Sequence, residues 1–144
     1  MLSKIREAFS MENFTNATFL RGTCNNSTWR EDLISQLDGK VDFFNPVVPD
    51  WTPECQAAED QARADSRYVL FVITSQMTGV FSIAEAVDCS NKRPESTLFC
   101  YLPDGFDKHQ EKSLAATARM IERNGGTVFG TLQDVASFLN SVYN

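Results

Sequence analysis

Apolar runs and helix-spaced apolar positions alternate five times along this chain. The clearest run is Tyr68–Ile73, Y-V-L-F-V-I, six residues without a polar interruption. A β-rich run that is apolar at every position predicts a parallel strand buried on both faces. Residues 17–20 (A-T-F-L), closed by Gly22, predict a first strand, and residues 41–44, closed by Asn45-Pro46, a second. Residues 97–102 and Thr127–Phe129 predict a fourth and a fifth. Between these runs the period lengthens. Trp29, Leu33, Ile34 and Leu37 follow the i, i+4, i+5, i+8 spacing of a helix over 29–37, with Ser27 or Thr28 as its cap and Glu31 and Asp32 in its first turn. Thr52 followed by Pro53 signals a helix through residue 65. A third helix is expected over 81–91 with its buried stripe at Val80, Ile83, Ala84 and Val87. A fourth covers 109–123, stopped by Asn124-Gly125-Gly126, and the last covers Leu132–Val142, capped at or near Thr131.

Five strand–helix repeats imply right-handed crossovers and one parallel sheet covered on both faces. The expected architecture is a flavodoxin-like three-layer α/β sandwich with a five-stranded parallel sheet in the order 2-1-3-4-5. Ligands of such sheets bind beyond the carboxyl ends of the strands, near the point where strand order reverses. That directs attention to three loops: 21–28, 45–53 and 74–81. Residues 1–13 stand apart from the repeat, either as an N-terminal extension or as a helix packing on a neighbour, and leave 14–144 as the domain.

Charge then narrows the partners. The 144 residues carry 13 basic and 19 acidic side chains, a net −6. This disfavours a nucleic-acid polymer, whose backbone calls for a basic face, and leaves small ligands, anionic ones included. Cys24, Cys55, Cys89 and Cys100 form no CxxC pair, and His109 is the single histidine, so no zinc site and no cofactor are expected. No run reaches 18 apolar residues and the first ten residues lack an apolar core, so the expectation is a cytoplasmic protein with free thiols and no membrane partner. His109 reads as a surface residue, and Cys24, without a histidine base nearby in sequence, as no nucleophile.

The loop after the first strand, R-G-T-C-N-N-S-T-W-R, has neither GxGxxG nor a Walker pattern. The loop is dense in small hydrogen-bonding groups at a helix start, suited to ribose hydroxyls or phosphate and equally to capping and turn formation, and its candidate binding residues are Gly22, Thr23, Asn25, Asn26 and Trp29. In the second loop, prolines at 46, 49 and 53 stiffen a segment where Trp51 and Asn45 offer a stacking face and an amide edge for a base, or where Trp51 simply packs. In the third, Thr78 and Gly79 precede a helix carrying Glu85 close to its apolar stripe, while Glu59 and Asp60 lie on the preceding helix. Paired carboxylates flanking one site are what glycosyl transfer requires, one to attack the anomeric carbon and one to move a proton.

Four segments together resemble the nucleoside 2-deoxyribosyltransferase-like family, closest to its divergent single-domain branch, found often in phages and bacteria. They are F-L-R-G-T-C-N-N-S-T-W-R (19–30), F-N-P (44–46), D-W-T-P-E-C-Q-A-A-E-D-Q (50–61) and Y-V-L-F-V-I-T-S-Q-M-T-G-V-F-S-I-A-E-A-V (68–87). The resemblance implies cleavage of the N-glycosidic bond of a 2′-deoxynucleoside or nucleotide, with transfer to another base or to water. Glu85 matches the nucleophile, and Glu59 or Asp60 the acidic residue that protonates the base. It further implies a homodimer or higher homo-oligomer. Where the family's transferases carry an Asp before the Gly of this loop, the chain has Met77-Thr78-Gly79. That departure motivates an alternative, a non-catalytic module that senses or sequesters a nucleotide-derived signal.

Overall fold

The computed structural model of the chain describes residues 16–24, 27–46 and 52–143. The 1–13 segment, Asn25, Asn26 and Trp51 lie outside the described residues. Five strands, β1 (Thr18–Gly22), β2 (Phe43–Phe44), β3 (Tyr68–Ile73), β4 (Thr97–Tyr101) and β5 (Thr127–Phe129), form one sheet. Its order is β2-β1-β3-β4-β5 with every pairing parallel, the flavodoxin-like arrangement that the alternation predicts. The helices are α1 (Trp29–Ile34), α2 (Pro53–Asp65), α3 (Phe81–Lys92), α4 (Lys108–Arg123) and α5 (Leu132–Val142).

Strand alternation sorts the side chains into two cores. Phe19, Val69, Phe71, Ile73 and Phe99 face α2, α3 and α4, packing on Ala62, Ala86, Cys89, Leu114 and Ile121. Leu20, Leu70, Val72, Leu98 and Cys100 face the other way, onto Trp29 and Leu33 of α1 and Val135 and Leu139 of α5. Burying each large apolar side chain contributes about 1.5–3 kcal/mol, so the sheet is fixed from both faces.

Three of the five helix starts follow local cap chemistry, while Thr28 before α1 and Val80 before α3 make no side-chain cap. Thr52 accepts from the Cys55 N–H at 3.3 Å with Pro53 in the first turn, and Thr131 accepts from the Asp134 N–H at 3.1 Å. Asp107 and Gln110 form a reciprocal capping box on α4. Two predicted elements shorten by two residues or more, and β4 ends one residue early, at Tyr101. α1 ends at Ile34, and the chain tightens into i→i+3 turns, with the Gln36 N–H on the Leu33 carbonyl and that of Leu37 on Ile34. Leu37 still packs on the core, which is why the apolar spacing runs past the helix. Of residues 41–44 only Phe43 and Phe44 form β2, and the Asp42 carbonyl before them also accepts from the Thr18 N–H at 2.8 Å. Among the described residues no helix is long and apolar enough to cross a membrane.

Candidate active site at the strand ends

Arg21 is one residue from the end of β1, paired in register with Phe71. Period-2 alternation puts it on the same face as Phe19, the face that α2 and α3 cover. Gly22 follows with φ +124°, and a Cβ there would meet the Val72 carbonyl oxygen at 2.1 Å. Only glycine lets β1 leave the sheet this close to β3.

Arg21 joins two carboxylates from two helices. Its Nη2 and Nε donate to Glu85 Oε1 at 2.7 and 3.2 Å, and its Nη1 makes an ion pair with Glu59 Oε1. Arg63 of α2 donates from Nη1 to the other oxygen of Glu85, Oε2. Glu85 and Glu59 are buried, at 6% and 3% exposure. Beyond the Arg21 ion pair no described group reaches the Glu59 carboxyl, and its Oε2 has no partner among the described residues. Burial pushes the Glu59 carboxyl above its usual value; the Arg21 guanidinium opposes that rise and the Glu85 carboxylate adds to it. Asp60, the competing sequence candidate, is exposed. It accepts from the Gln56 side chain at 3.0 Å and lies 4.0 Å from Arg63. Of the two acidic neighbours, Glu59 is therefore the one that the structure brings to Glu85.

The face of α3 meets the expectation at Ile83 and Val87, which pack on the core, and departs from it elsewhere. The predicted stripe was Val80, Ile83, Ala84 and Val87, but Val80 is 68% exposed and Ala84 is exposed, whereas Glu85, Ala86, Cys89 and Ser90 are buried. The helix is turned so that Glu85 points inward to Arg21 and Arg63. Two guanidiniums match its charge there, which hydrophobic spacing alone does not register.

A cavity of about 290 Å³ opens at the ends of β1 and β3, where strand order reverses. Arg21, Gly22, Thr23, Cys24, Thr78 and Gly79 line it. Four of the sequence candidates thus share one cleft with the arginine that holds both glutamates. Thr23 is locked: its N–H donates to the Val72 carbonyl at 2.9 Å, and its Oγ1 accepts from the Thr74 N–H at 2.9 Å. Trp29 goes elsewhere. It is 1% exposed, packs on the α1–α5 side of the sheet and donates from Nε1 to the Thr23 carbonyl at 2.8 Å. Arg30 lies beside it, donating to the carbonyls of Leu20 (3.0 and 3.1 Å) and Thr23 (2.7 Å); burial lowers its pKa. Asn45 is exposed at the end of β2. His109 is exposed on α4. A second, smaller cavity of about 160 Å³ lies between α2 and α3, and Asp60, Arg63 and Glu85 are on its wall.

Arg21 and Arg63 are the residues that sequence reasoning missed. One signal was available, a cation between the apolar pair Phe19-Leu20 and a glycine. Its two partners, 38 and 64 positions away, carry no local mark. Compared with known proteins, residues 15–104 match the family model described as nucleoside 2-deoxyribosyltransferase like. No curated protein and no solved structure matches the chain.

Proposed function

The chain belongs to the nucleoside 2-deoxyribosyltransferase-like family, and from that premise we propose that it breaks the N-glycosidic bond of a 2′-deoxynucleoside or nucleotide with Glu85 as nucleophile. The observation that carries this reading is the convergence of Glu85 and Glu59 on the single guanidinium of Arg21, beside the strand-end cleft. Carboxylates that act through a covalent glycosyl intermediate stand about 5–5.5 Å apart, a span that one guanidinium can bridge.

In the proposed step a Glu85 oxygen attacks C1′, the C1′–N bond breaks with its electron pair passing to the base, and Glu59 gives that base its proton. The deoxyribosyl ester on Glu85 then passes to water or to a second base, and Glu59, now ionised, takes a proton back from the acceptor. A carboxyl raised by burial keeps its proton to higher pH than a solvated one, which suits it to carrying the proton. The strand-end groups Thr23, Thr78 and Gly79 would seat the sugar and the base. A homodimer or larger assembly belongs to the same reading, and Val80 and Phe81, both 68% exposed, are the apolar side chains it would cover.

The test is incubation with deoxynucleosides and their 5′-monophosphates, with and without a free acceptor base, followed by chromatography of the bases. Wild-type protein should release base, and Glu85→Gln should lose on the order of 10³-fold or more in rate. No release from any substrate sinks the reading. One observation favours the alternative of a non-catalytic binding module: arginines occupy both oxygens of Glu85, a restraint on any nucleophile. Nucleotide retained without product, equally by wild type and Glu85→Gln, would establish that module instead.

A further inference from the structure

We infer that Arg21 is a positioning residue that divides two tasks between the carboxylates, holding Glu85 as the attacking anion and leaving Glu59 as the proton carrier. This rests on the reaction proposed above, and the donors are shared out accordingly. Glu85 takes three guanidinium N–H contacts, two from Arg21 on Oε1 and one from Arg63 on Oε2. Glu59 takes a single contact, the Arg21 Nη1 ion pair on Oε1, although both its oxygens are cut off from solvent, and its Oε2 meets no donor among the described residues. A buried oxygen with no donor is where an added proton costs least, because no hydrogen bond to the charged form has to be given up.

The charged groups around Glu59 come from three elements: Arg21 from β1, Glu85 from α3, and Asp60 and Arg63 from α2 itself. Arg21 is the attractive one of greatest weight, and Glu85 and Asp60 both favour the protonated form. Arg21 is 15% exposed and anchored by the β1–β3 ladder, so its fork presents a fixed direction to each carboxylate. A guanidinium does not give up its proton in a protein, so Arg21 itself moves none. Its planar set of donors also distinguishes it from lysine, whose point charge cannot grip Glu85 through two nitrogens and face Glu59 with a third.

The experiment follows the Glu59 carboxyl by carbon NMR in protein labelled at the glutamate side-chain carboxyl carbon, assigned with Glu59→Gln. Wild type, Arg21→Gln and Arg21→Lys are titrated, and base release is measured across pH. Removing a nearby cation disfavours the carboxylate, so the Glu59 midpoint should move upward in Arg21→Gln and by less in Arg21→Lys. The alkaline limb of the base-release profile should move up with it, alongside a loss of about 100-fold in kcat/KM at the wild-type optimum. A Glu59 midpoint that stays put in both variants overturns the inference, as does a loss of rate that is equal at every pH. Should Arg21→Gln not fold, Arg21→Lys carries the same test, because its midpoint must still rise. If no variant releases base but the midpoint moves as described, the reaction is wrong and the charge coupling by Arg21 stands.

Discussion

At the scale of single residues, the site depends on charges held where solvent cannot screen them. Glu59 has a raised carboxyl because burial outweighs the pull of Arg21. The sign of its effect on folding follows. The folded state binds the Glu59 proton more tightly than the unfolded chain does, so this group lowers stability as pH climbs from the ordinary glutamate value through its raised one. Glu59→Gln cannot ionise and should flatten that part of the curve. Urea midpoints collected from pH 4 to 8 check this: the wild-type midpoint should fall relative to the variant as pH rises, and parallel curves would count against a burial-raised carboxyl. Arg30 illustrates the same economy without an acid. It is buried on three contacts with two carbonyls, and it ties the start of α1 to Leu20 in β1 and Thr23 just after it.

At the scale of elements, much of the layout was legible because caps, prolines and period-2 runs act locally. Tyr68–Ile73, Thr127–Phe129 and Leu132–Val142 have the bounds that their patterns predict. The face of α3 was legible in part: Ile83 and Val87 pack on the core as their spacing predicts, but Glu85 is turned inward by Arg21 and Arg63 from other elements, leaving Val80 and Ala84 outside. Trp29 was ambiguous for a related reason. An indole at a helix start suits a ligand face or a core, and the decision came from the Thr23 carbonyl, which offers its N–H a buried partner. The junction of β1 and β3 gives an element-level prediction. Gly22→Ala places a methyl against the Val72 backbone at positive φ, and should cost about 2–4 kcal/mol in chemical denaturation. It should also weaken base release, since Arg21 precedes it. A variant as stable as wild type would contradict the packing described here.

At the scale of the whole molecule, topology creates the site. The order β2-β1-β3-β4-β5 makes neighbours of β1 and β3, whose outgoing loops run apart at the switch point and leave the cleft between them. The same sheet presents Arg21 to α2 and α3, so the acidic chain places two of its 19 carboxylates against a fixed cation instead of water. Strand order was open to inference from the alternation of elements, but the meeting of Arg21 with Glu59 and Glu85 is a tertiary fact with no periodic trace. The most direct test of the central claim is mass spectrometry of the acid-quenched protein after incubation with a deoxynucleoside. A single deoxyribosyl adduct on the peptide containing Glu85, absent in Glu85→Gln, is the predicted result. Base release at an undiminished rate by Glu85→Gln, with no adduct on the wild type, would contradict it.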